Sequence, residues 1–260
     1  QRKISATSSA SMNRVYEYLP APGQFINENH TTTTMAEACT YAEERINQTA
    51  YVSLGGFGGY IIVGFDHSIV NDGDYNIAIT GNAFDGSSEP GIVWVMQDEN
   101  GDGLPNYTWY ELRGSEYGKA ETWQDYAVTY HKPTGIQLPT PWTDNHGQSG
   151  SIDYLGAFHR QDYYYPAWVK EKQYTLRGTR LKERNYDQSG NGTYWVNDSY
   201  EWGYADNFSA IDRLTDDDNY NAGPSDNHFK ISHAVTFDGK DANLKYVDFI
   251  KVQVGVNSKS

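Results

Sequence analysis

The chain has 260 residues, 38% of them hydrophobic and 15% aromatic (22 Tyr, 7 Trp), and a formal net charge of −14. No Lys/Arg cluster supplies the basic footprint of a nucleic-acid binder, and no apolar run approaches the ~20 residues of a membrane-spanning helix. A single cysteine, Cys39, rules out an internal disulfide; such poverty suits a cytosolic protein, and also a bacterial surface protein held by metal and packing.

In chain order, the polar, Ser-rich start QRKISATSSAS (1–11) is expected to be a flexible tether whose targeting segment has been removed. Residues 12–260 follow as one domain. TMAEACTYAEERINQ (34–48) places Met35, Cys39, Ala42 and Ile46 at helical spacing, and Thr34 with Glu37 fits a capping box. Cys39 is then a packed filler rather than a nucleophile. GGFGGY (55–60) precedes a strand, not a helix, so it is no phosphate cradle; it predicts a close backbone approach or a bulge.

Short strands are predicted at YIIVGF (60–65), YNIAIT (75–80), GIVWVMQ (91–97), YAVTY (126–130), TYWVNDSY (193–200) and LKYVDFIKVQVGV (244–256). In the last, Leu244, Tyr246, Asp248, Ile250, Val252 and Val254 fall on one face, and Lys245, Val247, Phe249, Lys251 and Gln253 on the other. Gly, Asn, Asp and Pro clusters between strands supply turns, so the expected fold is all-β, a β-sandwich of jelly-roll type with one short amphipathic helix. HKPTGIQLPTPWTDNHGQSG (131–150) is expected as a long surface loop exposing Trp142. The acidic stretch at 212–228, with Asp216, Asp217 and Asp218, is expected as another loop.

QDENGDGLPNYTWYEL (97–112) raises the sharpest chemical question. A calcium loop needs oxygens at alternate positions and a glycine at the sharp turn. Asp98, Asn100 and Asp102 occupy positions 1, 3 and 5 and Gly103 position 6; Leu104 offers its carbonyl and Asn106 its amide oxygen. Position 12 holds Trp109 instead of Glu, with Glu111 two residues later, and both flanks read as strands. The stretch is therefore no EF-hand but a calcium loop between strands, with Glu111 as last ligand. The same NGDG also makes a hairpin turn without an ion, and both readings stand.

MNRVYEYLPAPGQFINE (12–28), YVSLGGFGGYIIVGFDHSI (51–69), ITGNAFDGSSEPGIVWVMQDENGDGLPNYTWYELRGSEY (79–117), YYPAW (164–168), GTYWVNDSYEWGYADN (192–207) and YVDFIKVQVGV (246–256) resemble a family of exported, lipid-anchored surface proteins of Bacteroidetes-type gut bacteria, labelled cell-surface or PKD-containing. The resemblance spans nearly the whole chain. It implies a β-sandwich displayed at the outer membrane, beside uptake machinery for glycans or corrinoids. Members typically carry Asp where this chain has Asn106, which weakens the calcium site by one charge. The family offers no agreed catalytic residues.

Aromatic density peaks at 159–170 and 194–207. Sugars need flat aromatic faces with polar groups nearby; Tyr163, Tyr164, Trp168, Trp195, Trp202 and Trp142 are the candidate faces, and Asp162, Asp206 and Asn207 the polar partners, joined by Asp198. Half or more of these rings would equally serve a core. Glu89, Glu111, Glu116, Glu201 and Asp206 are candidates for a glycosidase acid pair, which only their separation decides. His30, His67, His131, His146, His159, His228 and His233 show no metal-ligand spacing, and no Ser lies in a G-x-S-x-G elbow. The sequence thus predicts a non-catalytic surface protein capturing an extracellular nutrient, a glycan first and a corrinoid second, braced by Ca²⁺ and docked to an outer-membrane uptake complex. A glycan hydrolase and a structural or adhesive subunit are the rivals.

Overall fold

The computed structural model describes residues 1–214 and 225–259; Asp216, Asp217 and Asp218 lie outside them. All strand pairing is antiparallel. A six-stranded sheet runs, in spatial order, β1 (Arg14–Leu19), β2 (Tyr60–Val70), β14 (Tyr246–Val254), β4 (Gly91–Met96), β5 (Tyr110–Leu112) and β13 (Ala234–Val235). A four-stranded sheet runs β8 (Ser149–Ile152), β7 (Thr140–Asp144), β6 (Trp123–His131) and β9 (Gln173–Arg180). Two ribbons complete the fold: β12 (Ser225–Phe229) with β3 (Ile77–Gly81), and β10 (Asn185–Asp187) with β11 (Trp195–Asn197). The architecture is all-β and sandwich-like, less regular than the two four-stranded sheets of a jelly roll.

Helix α1 (Met35–Asn47) forms where the spacing places it. Its Thr34 hydroxyl accepts from the Glu37 N–H at 3.2 Å, and the Glu37 carboxylate reaches back to the N–H of Thr33 rather than Thr34. Ala38 and Ala42 are buried against Val15, Tyr18 and Ile61, with Cys39 half-buried among them. A short helix, α2 (Ala210–Arg213), precedes the undescribed segment. No helix among the described residues is long and apolar enough to cross a membrane.

The glycine run does bring two backbones together: the Ala21 N–H donates to the Leu54 carbonyl at 2.9 Å. A Cβ on Gly55, whose φ is +72°, would lie 1.9 Å from the Ala21 oxygen, so only glycine fits. Behind this crossing, Phe57 packs with Tyr126, Val128, Tyr130 and Leu176 between the sheets.

Three expectations need correction. The 131–150 stretch is not an excursion: it supplies β7 and β8, and Trp142 lies half-buried against Gly150 with its ring packed on the core. Its Pro residues fall where the pairing tolerates them, so polarity alone misled. In β14 the two-face alternation holds from Phe249 onward and breaks before it. Against β2 the register slips between Val247 and Phe249, because Gly64 to Ile69 of β2 span what two residues span on β14. Val247 therefore packs in one cluster with Ile250, Val93 and Val95. Residues 1–11 contain no helix or strand, but Arg2 is tied down: its N–H groups reach Ser68 Oγ, the Phe65 carbonyl and Asp248 Oδ1.

Candidate functional site: an aromatic cleft on the six-stranded sheet

Cross-strand register, rather than chain proximity, assembles the most chemically loaded place on the molecule. Lys251 of β14 opposes Ile62 of β2 on one side and Trp94 of β4 on the other; Trp94 opposes Glu111 of β5, and Ile62 opposes Glu17 of β1. Residues directly opposed in a ladder share a face. Glu17, Ile62, Lys251, Trp94 and Glu111 thus form one rank across five strands.

Strands β6 and β9 of the second sheet bring Gln124, Asp125, Arg177 and Gly178 against this rank, and Tyr117, Trp109 and the Val235–Phe237 turn close the sides around a cleft of about 220 Å³. The β6 register shifts between Trp123 and Tyr126, and Asp125 sits in the left-handed region at φ +56°. Bulges of this kind re-aim side chains near sites. Here it sets the exposed Asp125 carboxylate on the rim, 2.8 Å from the Arg177 guanidinium. Phe237, 85% exposed, stands at the mouth.

The electrostatics are unusual for so acidic a chain. Burial drives the Lys251 ammonium down to about 8, with Glu17 opposing the shift. The nitrogen lies 4.9, 5.1 and 5.8 Å from the ring centroids of Trp109, Trp94 and Tyr60, within cation–π range. Tyr60 donates to Glu17 Oε2 at 2.6 Å. Burial also raises the Glu111 carboxyl to about 7, against the Thr179 and Gln124 side chains that favour its ionised form. The Trp94 indole nitrogen and Gln253 Oε1 are buried with no partner among the described residues.

The 98–106 loop adjoins the cleft through Trp109. Asp98 Oδ1 accepts from the Gly101 N–H at 2.8 Å and Oδ2 from that of Gly103 at 2.9 Å; Asp102 Oδ1 accepts from Leu104 N–H, and its Oδ2 from the Asn100 and Asn106 amides. These amide contacts hold the Asp102 carboxyl below the usual range. The loop is anchored to the sheet where Asp98 N–H donates to Asp248 Oδ2 at 2.8 Å. Glu111, expected as its last ligand, is not there: it lies in the cleft opposite Trp94. Among the described residues no three His, Cys, Asp or Glu side chains gather to hold a metal.

A second loop, 187–193, repeats this wiring. Asp187 Oδ2 accepts from Gly192 N–H at 2.6 Å, as Asp98 does from Gly103, and Asn191 Oδ1 accepts from Thr193 N–H, as Asp102 does from Leu104. Its spacing, Asp187-x-Ser189-x-Asn191-Gly192, was legible but lacked the second carboxylate.

The aromatic segments expected to bind are dispersed. Tyr164 is 1% and Trp168 6% exposed; the Tyr164 hydroxyl donates to the His159 carbonyl and the Trp168 indole N–H to that of Tyr18. Asn207 is fully buried, its amide closing on the backbone of Tyr200. Asp206 Oδ1 accepts from Asn82 N–H, and burial followed by the neighbouring Glu89 raises its carboxyl to about 7. Asp162 is exposed and Tyr163 carries the Lys132 ammonium over its ring. Trp195 stands on the β10–β11 ribbon under Lys259, whereas Trp202 packs against His233. None of these residues lines the cleft.

No known family model matches this chain, and no curated protein matches it.

Proposed function

We propose that the protein is a non-catalytic binding module that takes one sugar ring of an extracellular glycan into the cleft between Trp94, Trp109 and Lys251. The observation that carries this reading is the combination of indole faces with hydrogen-bonding groups around an open recess, the pairing sugars require. The volume of about 220 Å³ suits a single ring and is below the ~300–1,000 Å³ of sites for larger ligands, which favours a sugar over a corrinoid. Display on an outer membrane as a lipid-anchored partner of an uptake complex is proposed from the sequence resemblance.

We further propose Ca²⁺ for the 98–106 loop, held by Asp98, Asn100, Asp102, the Leu104 carbonyl and Asn106. The donor set fits, since both Asp98 oxygens and Asp102 Oδ1 each accept one N–H and keep a lone pair, while Asp102 Oδ2, which accepts from the Asn100 and Asn106 amides, regains one when Asn106 turns its amide to offer oxygen. With two carboxylates the affinity belongs at the weak end, ~10⁻⁴–10⁻³ M. When bound, the ion would stiffen the loop that leads into Trp109.

A glycan hydrolase is the second reading, favoured by the Glu111 carboxyl kept protonated toward neutral pH beside the Asp125 rim. A glycan array read with wild type and Trp109→Ala, followed by product analysis of every glycan bound, separates these. The binding reading expects retention of at least one glycan class, about tenfold weaker in Trp109→Ala, and no products. Products lost in Glu111→Gln would establish the hydrolase, and binding indifferent to Trp109 would remove the cleft from the account.

A further inference from the structure

We infer that the cleft selects an acidic sugar, one ring bearing a carboxylate, over its neutral counterpart. The inference rests on the saccharide reading and names the substrate class of that same site. Among the described residues the Lys251 ammonium makes no hydrogen bond and no ion pair; the faces of Trp109, Trp94 and Tyr60 lie against it, and Glu17 acts on it from the same rank. An ammonium has three N–H donors and no acceptor. Leaving them unmet in a partly desolvated recess is costly, whereas a ligand carboxylate would meet them with charge-assisted bonds about twice as strong as neutral ones.

The rest of the lining has the same bias. Arg177 adds a second cation at the rim, where one nitrogen is engaged by Asp125. Trp94 keeps its indole N–H buried without a partner among the described residues. Two carboxylates near the recess are engaged, Asp125 by Arg177 and Glu17 by the Tyr60 hydroxyl, and burial raises the Glu111 carboxyl to about 7. What the Lys251 ammonium lacks is an acceptor. The chain's net charge of −14 does not forbid an anion, because at physiological salt charges beyond ~8 Å are largely screened and Lys251 dominates locally.

Neutral and acidic sugars alike gain from the indole faces and the polar groups of the rim, so the walls set affinity and Lys251 sets the class. The test is calorimetric titration of the full chain with an oligogalacturonide and with the matching neutral oligogalactoside, in low salt. The acidic probe is expected to bind at least tenfold tighter, and Lys251→Met to remove that preference, so that the variant binds the two probes within about twofold of each other. Equal binding of both probes by wild type would overturn the inference and keep the saccharide reading; binding of neither overturns both. Should Lys251→Met fold poorly, a wild-type salt series decides. A preference that shrinks as NaCl rises supports charge recognition, and one indifferent to salt refutes it.

Discussion

Glu111 is a carboxylic acid spending its folded life where ionisation is expensive. Its carboxyl is held at about 7, well above an ordinary glutamate, so between roughly pH 4.5 and 7 the folded state keeps a proton that the unfolded chain releases. Stability therefore falls as pH rises through that window, and the cost is complete above it. Lys251 works in the opposite sense: held at about 8, its cost is complete below pH 8 and is relieved as pH climbs toward the ordinary lysine value. Glu111→Gln should raise stability at pH 8 by roughly 3 kcal/mol and leave it nearly unchanged at pH 4.5, read by urea melts at both values. Asp206 adds a slope of the same sign, which that variant leaves behind. Equal effects at the two pH values would show that Glu111 ionises freely. Single residues were also where the sequence misled most. In a chain with 22 tyrosines the rings are core material whose hydroxyls are answered by backbone carbonyls: Tyr18 by Ser53, Tyr130 by Phe57, Tyr165 by Glu171, Tyr174 by Pro20. Aromatic density in such a chain marks packing as readily as binding.

Among elements, the 98–106 loop shows how a turn becomes part of a sheet. Its first residue hangs on Asp248, which also accepts from Ser68 and Arg2; the same loop receives the Tyr16 hydroxyl on the Gly103 carbonyl at 3.0 Å. Asp98→Ala strands the N–H groups of Gly101 and Gly103 and should cost about 1–3 kcal/mol even in EGTA. A few millimolar Ca²⁺ should raise the melting temperature of wild type by mass action, and of neither Asp98→Ala nor Asp102→Ala. A wild-type melt blind to Ca²⁺ would leave the loop a bare turn. Helix α1 and six of the fourteen strands among the described residues, β2, β3, β4, β6, β11 and β14, were legible because 3.6- and 2-residue periods are local signals, and the D-x-N-x-D-G spacing is equally local. The cleft was not legible: Glu17, Trp94, Glu111 and Lys251 meet only through pairing registers, which one sequence does not disclose. Lys251, on the face of the last strand that also carries Lys245 and Gln253, was only a faint clue.

At the scale of the molecule, polar contacts help join the two sheets, one of them beside the cleft. The Gln253 amide donates to the Gly58 and Arg177 carbonyls, each at 3.0 Å, fastening β14 to β9 beside the recess. The Tyr130 hydroxyl reaches the Phe57 carbonyl at 2.7 Å. Gln253→Leu should cost about 2 kcal/mol through the two carbonyls it orphans. It should also weaken glycan binding, because Arg177 and Gly178 form a wall of the recess. Lost stability with ligand affinity intact would separate the seam from the site.

The position of β14 has a consequence in time. It lies between β2 and β4, so every strand of the six-stranded sheet is synthesised before the one that joins its halves. Until residues 246–254 emerge, β1–β2 and β4–β5–β13 are two fragments with open edges, and the rank that carries Lys251 does not exist. Loop closure across such sequence distances is slow. The sheet therefore stays open until β14 is made, and the act that closes it is the same act that completes the cleft.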